Sequence, residues 1–277
     1  MKASVFGLRA GALMLWGVAA CAEPGSAHEA GRVSEAPRPA STCDVTICLT
    51  GAIDQTSGSN SGFEALCGRD ELVGVVEDCD SGTCYRTHDS FMRSPEGAVY
   101  PKLFAALDRD GDGDVDADDP FCDVNILGFS WGGVNAVELA RVLSRDGRVS
   151  RAQRRVARLL LMDPYQPMAA AKMRVPENVA RTRVWRHSKP NPRDCSRVAP
   201  LGPYAGMAPL CAAGSDCEDL DYSATPSGPF VDTYGRTWRG DEVGHCSVPL
   251  VATPGVLREL ESGAAPARAR TEWLNSG

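Results

Sequence analysis

Short apolar runs of strand length recur along the chain and are separated by stretches with helical spacing. Val45 to Thr50, Leu72 to Val76, Val124 to Leu127 and Ala157 to Met162 each read as a buried strand, and Arg181 to Arg186 as a more polar one. Between them, Val134, Val137 and Ala140 fall on one helical face, with Arg141 and Arg145 near the end and Gly147 beyond it. Phe63 to Leu66, Tyr100 to Leu107 and Pro254 to Ser262 read as further helices. Strands alternating with helices predict the α/β class, with a mostly parallel central sheet and helices on both faces. From 190 to 239 no period is visible; the run is rich in Gly, Pro and Ser, and Cys195, Cys211 and Cys217 suggest a disulfide-stapled cap or loop insertion.

The N-terminal pattern differs from the rest. Lys2 and Arg9 supply positive charge ahead of a short apolar segment, Gly11 to Ala20, too short for a lasting membrane span, so residues 1–20 read as an export signal. Val18-Ala19-Ala20-Cys21 resembles the bacterial lipobox, which implies lipid on Cys21; an ordinary cleavage near Ala20 or Ala22 is the alternative. Residues 21–42 are rich in Ala, Glu, Pro, Ser and Gly, with Val33 the lone large aliphatic, and form a tether. One domain is expected from 43 to 277. Eleven cysteines point to an oxidising compartment, and setting Cys21 aside leaves ten for five disulfides, with Cys79–Cys84 and Cys211–Cys217 as local pairs. The expected location is the cell envelope, with a lipid anchor facing the periplasm or the exterior.

Charge removes one class of partner. A net charge of −7 and a pI of about 5.2 argue against nucleic acid. The basic residues Arg148, Arg151, Arg154, Arg155 and Arg158 read as a solvated connector.

Two stretches carry chemistry. In Val124 to Gly133 a strand ends in Gly128-Phe129-Ser130-Trp131-Gly132 and a helix follows. G-x-S-x-G in that context is a nucleophile elbow, a sharp turn that lifts a serine hydroxyl above the strand end. Ser130 is the candidate nucleophile. The backbone N–H of Trp131 is one candidate oxyanion donor, and that of Ala52 or Ile53, in the loop after the first strand, is the other. The second stretch, Asp108 to Asp119, places carboxylates at positions 1, 3, 5, 9 and 12 of a twelve-residue loop and glycine at position 6. That is the register of an EF-hand-type calcium loop, with Asp108, Asp110, Asp112, Asp114 (through its carbonyl), Asp116 and Asp119 as candidate ligands for a structural Ca2+. It most resembles the dockerin form, departing from the commoner pattern by Asp119 at position 12.

The run Ala157 to Met162 ends in Asp163-Pro164, and His245 lies late in the chain before the closing helix. Nucleophile, acid and base in that order resemble the α/β-hydrolases of the lipase and esterase type, and an acid on the strand directly after the nucleophile strand, as a D-P pair, is similar to the pancreatic-type lipases. The resemblance implies a serine hydrolase acting on esters through Ser130, Asp163 and His245, with Asp194 as the competing acid. His187 ends a strand too early in the chain to serve as base. A non-catalytic, calcium-stiffened surface binding protein on the same scaffold is the rival expectation.

Overall fold

The computed structural model describes residues 43–49, 62–67, 95–166, 172–189 and 205–262. Its elements in chain order are β1 (Cys43–Leu49), α1 (Phe63–Cys67), α2 (Pro95–Ala98), α3 (Tyr100–Leu107), β2 (Cys122–Phe129), α4 (Trp131–Arg145), β3 (Val156–Met162), β4 (Lys172–Arg174), β5 (Val179–Arg186), β6 (Ala208–Leu210), β7 (Asp216–Asp221), β8 (Pro229–Val231), β9 (Thr237–Arg239) and α5 (Val248–Glu261).

Five strands form one parallel sheet in the order β1-β2-β3-β5-β7. Both faces are apolar at its centre because the pleat sends alternate residues to opposite sides. Ile47, Leu49, Ile126, Leu159, Leu161 and Val184 face α3 and α4, whose Leu103, Leu107, Val137, Leu139 and Leu143 complete that layer. Cys48, Leu127, Phe129, Leu160, Met162 and Trp185 face α1 and α5, meeting Phe63, Leu66, Val248, Val251 and Val256. The α/β class with helices on both faces is therefore present. No helix among the described residues is long and apolar enough to cross a membrane.

Three local expectations are revised. The closing helix starts at Val248, so Pro254 lies inside it, and Pro249 occupies the first-turn place where a missing N–H costs nothing. The segment 190–239 is not wholly a cap: within its described part, β7 is the edge strand of the central sheet, and a disulfide joins Cys211 to Cys217. Its lack of an apolar period has a physical cause. β7 reads Asp-Cys-Glu-Asp-Leu-Asp and is matched to β5 by charge: Arg181 and Arg183 pair with Asp216, and Arg186 pairs with Asp219. Such an edge also discourages pairing with another chain. Arg158, expected in a solvated connector, is buried in β3 and donates to Asn125 Oδ1 at 2.8 Å.

Disulfides also join Cys43 to Cys122, which face each other across β1 and β2, and Cys48 to Cys67, which ties α1 to the sheet. Cys246 is disulfide-bonded as well. The signal, Cys21, the tether, Leu72 to Val76 and Cys79–Cys84 lie outside the described residues.

Candidate active site

Parallel strands align their carboxyl ends, and residues just past those ends meet in one place. Ser130 follows β2, Asp163 follows β3 and His187 follows β5. Ser130 N–H donates to the Met162 carbonyl at 3.1 Å, and Asp163 N–H donates to the Trp185 carbonyl at 2.7 Å, so each turn is fastened to the neighbouring strand.

Ser130 (φ 56°, ψ −127°) and Asp163 (φ 44°) are the two non-glycine residues with positive φ among those described. L-residues adopt such backbone at a cost of about 1–3 kcal/mol, and it persists where the surroundings enforce it. Around Ser130 they do. Gly133 N–H and Tyr165 N–H both donate to the Ser130 carbonyl at 3.0 Å. A Cβ on Gly128 would lie 2.6 Å from the Gly132 carbonyl oxygen and 2.6 Å from Gly133 Cα, so strand and helix approach this closely only with glycine there.

The third side chain comes from the segment between β9 and α5. His245 stands where Gly244 N–H donates to Ser247 Oγ at 2.8 Å and Val248 N–H donates to the Gly244 carbonyl at 2.9 Å, the start of α5. Its Nε2 lies 2.8 Å from Ser130 Oγ, and its Nδ1 lies 2.5 Å from Asp163 Oδ2. The ring is caged by Phe129 and Tyr165, with centroids 5.1 and 5.8 Å away. Ser130, Asp163 and His245 are 3, 0 and 1 % exposed, so these polar contacts form in a dry, low-dielectric setting.

Burial alone would raise the Asp163 pKa. The charge and hydrogen bond of His187, followed by those of His245, outweigh it and hold the carboxyl down to about 2. Asp163 is thus an anion throughout the neutral range. His187 was set aside in the sequence because it precedes the late position expected of a base. The cue that was available is spatial: it ends the strand next to the one that ends in Asp163.

Trp131 opens α4, so its N–H sits at the positive end of the helix dipole beside Ser130. Ala52, Ile53 and Asp194 lie outside the described residues.

The aspartate-rich loop follows α3 directly and ends three residues before β2. Asp108, Asp110 and Asp112 each bring a carboxylate oxygen within 4.8 Å of the others. Asp114, Asp116 and Asp119 are not in that group. Asp119 is turned to the backbone instead, accepting from Arg109 N–H at 2.6 Å and Asp116 N–H at 3.2 Å. Val115, at position 8, bridges to Val149 in the connector after α4: Val115 N–H donates to the Arg148 carbonyl at 2.8 Å, and Ser150 N–H donates to the Val115 carbonyl at 2.7 Å. The N–H of Asp112 works to lower the Asp110 pKa, yet desolvation and the charges of Asp112, Asp119 and Asp108 leave it raised, as expected where like charges crowd. This donor set of hard oxygens suits Ca2+ or Mg2+ rather than a softer metal.

The chain matches no family model, no curated protein and no solved structure.

Proposed function

We propose that this chain is a serine hydrolase of the α/β-hydrolase type, acting on carboxylic esters, exported and held to a bacterial membrane through lipid on Cys21. The observation that carries the reading is the continuous chain of contacts Ser130 Oγ to His245 Nε2 and His245 Nδ1 to Asp163 Oδ2, set on a strained strand–turn–helix. Nucleophile, base and orienting acid within hydrogen-bond reach are what acyl transfer to a serine requires.

In this reading His245 Nε2 removes the Ser130 proton as Oγ attacks the ester carbonyl. The tetrahedral oxyanion is held by the Trp131 N–H and by that of Ala52 or Ile53. His245 returns the proton to the departing alkoxide, and a water repeats the sequence to release the acid. Asp163 holds the productive tautomer, with the Nδ1 proton facing Oδ2 and Nε2 left to accept. Lipid-like carboxylic esters fit the membrane-anchored setting.

The loop Asp108 to Asp119 is proposed to hold Ca2+ as a structural ion that stiffens the entry to β2. The convergence of Asp108, Asp110 and Asp112 and the attachment of Val115 to Val149 support this role.

A fluorophosphonate probe tests the enzyme reading. Labelling at Ser130, lost in Ser130→Ala, is the expected result. An unlabelled, folded protein would favour the calcium-stiffened binding scaffold instead.

A further inference from the structure

Asp163 serves two imidazoles. His187 Nδ1 lies 2.9 Å from Asp163 Oδ2, the oxygen that also meets His245 Nδ1 at 2.5 Å. The His187 backbone N–H donates to the other oxygen, Oδ1, at 2.9 Å. His187 is 1 % exposed, and its ring centroid is 6.3 Å from that of His245. The arrangement is closed from behind. Gly206 N–H donates to the His187 carbonyl at 2.8 Å, and a Cβ on Gly206 would fall 2.2 Å from Asp163 Oδ1. Among the described residues the polar contacts of the carboxylate are with the two histidines, and the Gly206 backbone lies against Oδ1.

We infer that His187 is a positioning residue of the triad: its backbone N–H on Oδ1 and its ring beside Oδ2 fix the Asp163 carboxylate toward His245. The inference rests on the hydrolase reading above. The His187 ring thus stands against the same carboxylate oxygen that meets His245, while its backbone N–H holds the other.

The groups facing this pair are Asp163 at the end of β3, His245 before α5, and Tyr222 in the turn after β7, which feels the Asp163 charge. Arg186 on the strand of His187 also feels Asp163, and it is engaged by Asp219 and Asp221 of β7. Burial pushes the Tyr222 hydroxyl up, Asp219 raises Arg186, and Asp163 is held down, so these three keep their charge state through the neutral range.

The test compares His187→Phe, His187→Asn and His187→Gln with the wild-type chain by fluorophosphonate labelling rate and by p-nitrophenyl ester kinetics against pH. His187→Phe keeps a planar ring without the ring nitrogen beside Oδ2, and kcat should fall about 10- to 100-fold with KM within about twofold, the loss of one polar contact to the carboxylate. Its acid limb should shift as well, because the backbone N–H of residue 187 then holds the Asp163 carboxylate without the ring. Asn places an amide N–H where Nδ1 stands and should restore most of the rate and the limb. Gln reaches the Nε2 position instead and should not. If the Phe variant fails to fold, the Asn and Gln pair carries the comparison. Equal rates and limbs in all variants would overturn the inference, as would equal losses in all three without a shift of the limb, which is mere packing. A wild-type chain that neither labels nor hydrolyses would instead remove the hydrolase reading itself, and the inference with it.

Discussion

Replacing Asp163 by asparagine changes one atom pair in a buried site, and the geometry makes the consequence calculable. Asp163 Oδ1 accepts from the His187 backbone N–H, so the asparagine carbonyl oxygen takes that place and its NH2 group occupies the Oδ2 position. The NH2 then faces His245 Nδ1 at about the 2.5 Å now seen, donor against donor unless the imidazole changes tautomer. In the other tautomer Nε2 carries the proton, and the 2.8 Å contact with Ser130 Oγ no longer lets the ring accept. A triad with the wrong tautomer loses about 10^4-fold in kcat, which corresponds to about 5.5 kcal/mol of transition-state stabilisation. The same swap leaves volume unchanged and costs the fold about 1–3 kcal/mol for the mismatched polar pair. The assay is hydrolysis of a p-nitrophenyl ester near pH 8, with a thermal melt on the same sample to show that the variant is folded. Asp194→Asn is the control and should retain most of the activity. An Asp163→Asn protein within tenfold of wild type, or a greater loss in Asp194→Asn, would refute the assignment of the acid and of the tautomer argument with it.

Three further outcomes are expected. Gly128→Ala should cost about 1–3 kcal/mol, because the added Cβ meets α4 backbone at 2.6 Å rather than a yielding side chain, and a melting point equal to wild type would contradict the close approach of strand and helix. Because the folded Asp163 pKa lies below the ordinary carboxyl value, its contribution to stability is complete above about pH 4 and is lost as pH falls through about 2; denaturant titrations at pH 7, 4 and 2 should show a smaller acid loss in Asp163→Asn than in wild type. If calcium binds with a Kd near 10 µM, about 1 mM should stabilise by about 2.7 kcal/mol, so chelation should lower the melting temperature by several degrees in wild type and leave Asp108→Ala, Asp112→Ala unchanged; superimposable melts with and without chelator would leave the aspartates as a solvated hairpin.

The apolar runs at Val45, Val124 and Ala157 and the helical spacing after Ser130 were enough to place β1, β2, β3 and α4, because burial on both faces writes a continuous apolar word and burial on one face writes a 3.6-residue period. Gly128-Phe129-Ser130-Trp131-Gly132 and Asp163-Pro164 were legible for the same local reason: a sharp turn at a strand end needs special backbone, and the two non-glycine positive-φ residues among those described fall within those two motifs. β7 was not legible. Its partner is matched by ion pairs between Arg181, Arg183 and Arg186 and the acids of a strand some 35 residues away, and charge complementarity at that separation has no period to detect. The attachment of Val115 to Val149 escaped for a similar reason, since a single bridge between two loops leaves no pattern in either. His187 shows the limit most directly. Nothing near it in the chain marks it, and its role arises only because parallel strands bring the ends of β3 and β5 side by side, placing two imidazoles from residues 58 apart on one carboxylate oxygen.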